Sequence, residues 1–203
     1  MSIQGITYLG FSYCICEKKI NLKKLNHNIE YMNKIYFNNY SLKNMSYMFY
    51  GFSFLTSLNL ANFNTNNVEN MRNMFHNCSS LTSLNLSHFN SNEIIDMQYM
   101  FSYCSSLISL NLNNFNTNNV KDMNNMFSSC SSLTSLNLSN FNTNNVKDMS
   151  NMFYFCSSLT SLNLSNFNTH NVNNMSNMFH KLSSNCKIET NDKKISDIRN
   201  IQF

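Results

Sequence analysis

The stretch "NVKDMSNMFYFCSSLTSLNLSNFNT", residues 145–169, decides the fold because the chain repeats it. Its Met149 has counterparts at Met45, Met71, Met97, Met123 and Met175, each 26 residues from the next. Met152 belongs to a second column (Met48, Met74, Met100, Met126, Met178) and Phe153 to a third (Phe49, Phe75, Phe101, Phe127, Phe179). Leu162 and Leu164 continue Leu58, Leu84, Leu110, Leu136 and Leu60, Leu86, Leu112, Leu138. A period in this range defines a solenoid, in which a unit too small to bury its own apolar face buries it against its neighbours.

Within one unit the rhythm changes. In "SLNLS", Ser83 to Ser87, Leu84 and Leu86 alternate with polar residues, the two-residue period of a strand with one buried face. Equivalent strands joined by connections of about 20 residues must be parallel. From Val68 the spacing becomes Val68, Met71, Phe75, Cys78, with Met74 beside Phe75, which predicts a helix of roughly three turns. Asn67 is then its expected N-cap, and Asp96, Asp122 and Asp148 fall in or near the first helical turn, where free amides favour a carboxylate. The expected fold class is therefore α/β, a horseshoe-shaped solenoid with one short parallel strand and one short helix per 26-residue repeat.

The segment "LTSLNL", Leu81 to Leu86, looks like the strand of a leucine-rich repeat. The whole unit, NVxxMxxMFxxCSSLTSLNLSNFNT, resembles the BspA-like leucine-rich-repeat surface proteins of bacteria, mycoplasmas and some protists. The likeness runs from about Leu42 to Phe179. It implies a surface or secreted protein that binds host or matrix proteins, and it carries over no catalytic residue. The opening residues "MSIQGITYLGFSYCIC" lack the basic start of a secretory signal, which makes the cytoplasm the alternative location.

Three divisions are expected: an N-terminal segment with a degenerate capping repeat at 1–41, five to six repeats at 42–180, and a C-terminal cap at 181–203. Ile188 in "CKIET" falls on the Leu162 column and marks a last strand.

Composition narrows the functional classes. Charged residues are 12% of the chain, about half the usual globular share, and Asn and Ser supply the missing polarity. The net charge is +4, but the basic residues do not converge. Between residues 55 and 165 only Arg72, Lys121 and Lys147 are basic, against Glu69, Glu93, Asp96, Asp122 and Asp148. Nucleic acid is not an expected partner. No run approaches the roughly 20 apolar residues of a membrane span.

No motif of a catalytic serine, a zinc protease or a phosphate loop occurs, so no enzyme activity and no catalytic residue is expected. Cys78, Cys104, Cys130 and Cys156 are spaced too far apart in sequence for a zinc site and are expected as small buried residues, with no metal and no cofactor. Phe63, Phe89, Phe115, Phe141 and Phe167 are expected to stack as an aromatic spine. The Asn column at 64, 90, 116, 142 and 168 is expected to form an amide ladder between successive turns.

What remains for function is the outward side of the strands. The candidate ligand-binding residues are Ser83, Asn85, Ser109, Asn111, Asn113, Ser135, Asn137, Ser161 and Asn163, a nearly uncharged concave face. With few Arg or aromatic anchors, a protein or glycan ligand would be held there by many weak polar contacts acting together. A rival patch contains Tyr99, Tyr103 and Phe155 on the opposite side.

Overall fold

The structure is a computed structural model and describes residues 43–58, 60 and 64–201. Residues 1–41 with Cys14, Cys16 and His27, and also Asn59, Ala61 and Phe63, lie outside the described residues.

The chain is a leucine-rich-repeat solenoid. Five three-residue strands define it: β1 (Ser83–Asn85), β2 (Ser109–Asn111), β3 (Ser135–Asn137), β4 (Ser161–Asn163) and β5 (Lys187–Glu189). Pairing is parallel and in repeat register, with Leu84 opposite Leu110, Leu136 opposite Leu162 and Leu162 opposite Ile188. Each strand centre points inward and its flanking residues outward, except where Asn163 and Ile188 are half-covered. The strands form two hydrogen-bonded sheets, β1–β2 and β3–β4–β5, with β2 beside β3 but not laddered to it. At that seam Asn140 Nδ2 donates to the carbonyls of Leu112 (3.0 Å) and Phe115 (2.9 Å). A second parallel ladder, of single bridges, runs Asn44, Asn70, Asp96, Asp122, Asp148, Asn174 across the seam and unites the stack.

The side expected to be helical is built from turns. Two residues in every repeat have left-handed backbone, Asn73 and Asn77 (φ 56° and 59°), then Tyr99 and Tyr103, Asn125 and Ser129, Asn151 and Phe155, Asn177 and Lys181. A right-handed helix cannot contain them. The Met74 N–H bonds to Met71 O at 3.1 Å and the Cys78 N–H to Phe75 O at 3.1 Å, closing turns whose third residue is left-handed. The other amides reach across, Asn73 to Gln98 O at 2.9 Å and Phe75 to Met100 O at 2.9 Å, so that the turns are themselves laddered to the next repeat. Serial turns and a helix both bring every third or fourth side chain to one side, which is why the apolar spacing fits either. Among the described residues the one α-helix is α1, Lys193–Ile201.

The core is continuous. The Val68, Met71, Met74, Phe75, Cys78, Leu81, Leu84 and Leu86 columns are buried in each complete repeat. The aromatic spine is a different column from the expected one. Rings of Phe49, Phe75, Phe101, Phe127, Phe153 and Phe179 stack at 5.5–5.9 Å with interplanar angles of 2–8°. Of the expected spine, Phe89 and Phe115 stack at 6.5 Å, while Phe141 and Phe167 are buried without stacking on their repeat neighbours.

The stack closes through Asp192, the residue before α1. Its carboxylate accepts the Thr169 N–H at 2.8 Å and the Thr169 hydroxyl at 2.9 Å, and also the Ile195 N–H at 3.1 Å as a helix N-cap. Burial opposes its ionisation, but these hydrogen bonds outweigh burial and hold its carboxyl below the usual range.

Candidate binding face

Because a Leu centres each of β1 to β4 and turns its side chain into the core, the Ser and Asn on either side must face out. Ser83 lies opposite Ser109 and Asn85 opposite Asn111; Ser135 lies opposite Ser161 and Asn137 opposite Asn163. The structure thus brings eight of the nine sequence-derived candidates into two rows on one face. Asn113 is the exception, since it lies past β2 in the turn that follows and is exposed there.

The amides of the Asn row have a fixed sense. Asn85 Oδ1 accepts the Ser87 N–H, Asn111 Oδ1 that of Asn113, Asn137 Oδ1 that of Ser139 and Asn163 Oδ1 that of Ser165, all at 3.0 Å. Only the oxygen of an amide can accept an N–H, so each NH2 is turned outward. On Asn85, Asn111 and Asn137 no acceptor of the described chain meets it. On Asn163 the donor is taken by Glu189 Oε2 at 2.6 Å.

At the turns two asparagine columns spend their donors internally. Nδ2 of Asn116, Asn142 and Asn168 donates to Oδ1 of Asn92, Asn118 and Asn144, at 2.8, 2.8 and 2.9 Å. Nδ2 of Asn119, Asn145 and Asn171 donates to the carbonyls of those same three residues at 2.7–2.8 Å. The amide ladder exists, but each rung joins Asn142-type to Asn118-type residues and not members of a single column. Behind it, buried Thr117 and Thr143 accept the N–H groups of Asn142 and Asn168 at 2.8 Å and return their hydroxyls to the carbonyls of the same residues at 2.9 Å. Sequence reasoning missed this Thr column, although its recurrence inside an otherwise polar "FNTNN" was the available signal.

The Asp column does not cap helices. Asp96, Asp122 and Asp148 sit on the bridge ladder, and their Oδ1 atoms accept the N–H two residues on, from Gln98, Asn124 and Ser150, at 2.7–2.9 Å. Burial raises the carboxyl pKa of Asp96 and Asp122, and for Asp122 the neighbouring Asp148 and Asp96 add to the rise.

The thiols form a third internal row. Cys78, Cys104, Cys130 and Cys156 are buried and free, each directing Sγ at a backbone carbonyl, of Phe49, Phe75, Phe101 and Phe127, at 3.1–3.2 Å. Burial pushes the Cys78 and Cys156 thiols up to about 12. Among the described residues no three His, Cys, Asp or Glu side chains are placed to share a metal ion, and no helix is long and apolar enough to cross a membrane.

The rival aromatic patch divides in two. Tyr50 stacks on His76 at 4.9 Å, and His76 also meets Tyr103 at 5.5 Å, with Arg72 over Tyr99 at 5.7 Å. Phe155 instead meets Tyr154 at 4.6 Å and lies under Lys181 Nζ at 4.4 Å.

Parallel LxL strands in repeat register, a stack of inward leucines and an outward polar row define a leucine-rich-repeat protein. Residues 20–135 and 104–202 both match the family described as "Mycoplasma protein of unknown function, DUF285", and the chain belongs to that family. It is also similar to the crystal structure of a T. pallidum leucine rich repeat protein, with 17% identity, 82% of this chain and 79% of that chain covered, and a TM-score of 0.45. No curated protein matches it.

Proposed function

We propose that the chain is a non-enzymatic binding module of the BspA-like kind, which holds a protein or glycan ligand on its strand face and works in adhesion at the cell surface or after secretion. The observation that carries this reading is a contrast between asparagine columns. At the turns Asn116, Asn142, Asn168, Asn119, Asn145 and Asn171 spend their donors within the chain, whereas Asn85, Asn111 and Asn137 hold theirs outward in one row, with Ser83, Ser109 and Ser135 exposed beside them. A row of fixed, solvated donors gives little to stability and is available to a ligand. Its contacts are individually weak, so affinity must come from engaging several rungs at once.

The test is an array of glycans and extracellular-matrix proteins probed with the wild-type chain and with Asn111→Lys/Asn137→Lys/Asn163→Lys. Loss of every captured ligand from the triple variant, with a native circular dichroism spectrum, supports the strand face; retained capture moves the site elsewhere. Protease treatment of intact cells tests the location, and protection of the protein would overturn surface display.

A further inference from the structure

The last rung of the strand face differs from the others at its outward positions. β1 to β4 each present a Ser and an Asn, whereas β5 presents Lys187 and Glu189, both exposed, beside Ser161 and Asn163 of β4. We propose that β5 is a self-association edge, on which two copies of the chain join tail to tail through antiparallel pairing of their β5 strands once the last turn of α1 swings clear.

The backbone of β5 is satisfied on one side only. The Lys187 N–H donates to Thr160 O at 2.9 Å and Glu189 O accepts the Leu164 N–H at 2.7 Å, so these two residues turn their backbone groups toward β4. Successive residues of a strand turn theirs to opposite sides, and the N–H and C=O of Ile188 and Thr190 therefore face the end of the stack. Among the described residues no further strand pairs there. An unpaired edge of this kind is a template for another strand.

Charge selects the direction of pairing and the partner. A further parallel strand of the same kind, in repeat register, would set Lys187 beside a lysine and Glu189 beside a glutamate. An antiparallel copy centred on Ile188 instead sets Lys187 opposite Glu189 of the second copy, and Glu189 opposite its Lys187. These are non-hydrogen-bonded pairs, whose Cα atoms stand about 4.5 Å apart, while Ile188 exchanges N–H and C=O bonds with Ile188 of the second copy. The surface is thus its own complement, as a two-fold joint requires. Among the described residues Lys187 pairs with no carboxylate of its own chain, and Glu189 has committed one oxygen, Oε2, to Asn163.

α1 guards this edge. Arg199 Nη2 donates at 2.5 Å to the carbonyl of Cys186, which lies on the same open side as the groups of Ile188. The cleft left between helix and strand is about 90 Å³, lined by Ile188, Thr190, Ile195, Ser196, Arg199 and Asn200. A strand set about 4.8 Å from β5 needs more room than that. The first turn of α1 is anchored by buried Ile195 and by the Asp192 cap, whereas the Arg199 bond ties its last turn to the edge. Releasing Arg199 frees the Cys186 carbonyl and opens the cleft.

The experiment measures self-association of the full chain by sedimentation velocity. Arg199→Ala is expected to dimerise at least tenfold more tightly than the wild type. Added to Arg199→Ala, Lys187→Glu sets two glutamates face to face and Glu189→Lys sets two lysines face to face, so each should weaken the dimer at least tenfold. An equimolar mixture of these two charge variants restores both opposite-charge pairs and should dimerise as tightly as Arg199→Ala alone. The same charge variants and their mixture, made in the wild-type chain and run at higher concentration, decide the matter if Arg199→Ala disturbs the fold by circular dichroism. Monomers throughout, dimers indifferent to both charge reversals, a mixture no tighter than its components, or open-ended oligomers in place of a dimer overturns the proposal.

Discussion

Asn142 joins two repeats through a single side chain: its Nδ2 donates to Asn118 Oδ1 at 2.8 Å, while its Oδ1 accepts the Asn144 N–H at 3.0 Å. The first bond ties this turn to the one before it and the second shapes its own turn. With no Pro in the chain and Gly at three positions only, asparagine does the work that those residues do in other loops.

Replacing Asn142 by Leu removes both bonds and leaves the Asn144 N–H without its partner. Both bonds lie at the exposed surface, where water can take over the Asn144 N–H, so a cost of about 0.5–1.5 kcal/mol per bond is expected. Asn142→Asp retains an acceptor for Asn144 and loses only the donor to Asn118, so it should cost less. Urea denaturation of the two variants ranks them, and an Asp variant as unstable as the Leu variant would show that the inter-repeat bond dominates.

Phe127 lies between Phe101 at 5.6 Å and Phe153 at 5.7 Å, with its ring wholly buried. Phe127→Ala should cost about 3–5 kcal/mol, the range for emptying a buried aromatic site. In a linear stack each repeat supports only its neighbours, so a defect in the middle also weakens the coupling between the two halves. Broadening or splitting of the unfolding transition in Phe127→Ala, compared with one transition in the wild type, checks this.

The period, the strand positions and the inward leucines could be read from the sequence because burial at Leu84, Leu110, Leu136 and Leu162 alternates with exposure, and no other local structure has that two-residue rhythm. The turn side could not be read the same way. Tyr99, Tyr103 and Phe155 occupy left-handed positions that aromatic residues rarely take, so their identity hid the turns, although Asn73, Asn77, Asn125, Asn151 and Asn177 at matching positions hinted at them. The candidate face was legible as a row of residues, but the outward sense of its amide NH2 groups was not. That sense depends on where each Oδ1 goes, and the bond that Asn163 Nδ2 donates to Glu189 Oε2 crosses 26 residues.

The buried thiols should be inert in the folded protein. In a Cys14→Ser/Cys16→Ser background, Cys78, Cys104, Cys130, Cys156 and Cys186 should react with a thiol reagent at pH 8 only through opening of the stack, and together in urea. Their raised pKa values also set a sign. A thiol whose folded pKa lies above its unfolded value contributes stability below the unfolded pKa and loses it as pH rises. For Cys78 and Cys156 the loss runs from about pH 9 toward about 12. Cys130→Ala, which removes a titrating thiol from the middle of the row, should flatten this alkaline decline; an unchanged slope would assign it to other groups.

The Asp column offers a test in the opposite pH range. Asp122 stands between Asp96 and Asp148 on the bridge ladder, and its pKa is raised by burial first and then by those two carboxylates, against the hydrogen bonds from Asn124. A raised carboxyl pKa means that stability is fully present below the unfolded value of 3.8 and is lost as pH rises through the folded value. At neutral pH the stacked charges therefore cost stability. Asparagine fits the same site, since Asn70 Oδ1 accepts the Arg72 N–H at 2.9 Å as Asp122 Oδ1 accepts that of Asn124. Asp122→Asn should raise the melting temperature at pH 7 by on the order of 1–2 °C, the scale of one relieved like-charge contact in a protein of this size. At pH 3, where the carboxyl is protonated, the advantage should vanish. An equal gain at both values would mean that packing, and not charge, is what the substitution changes.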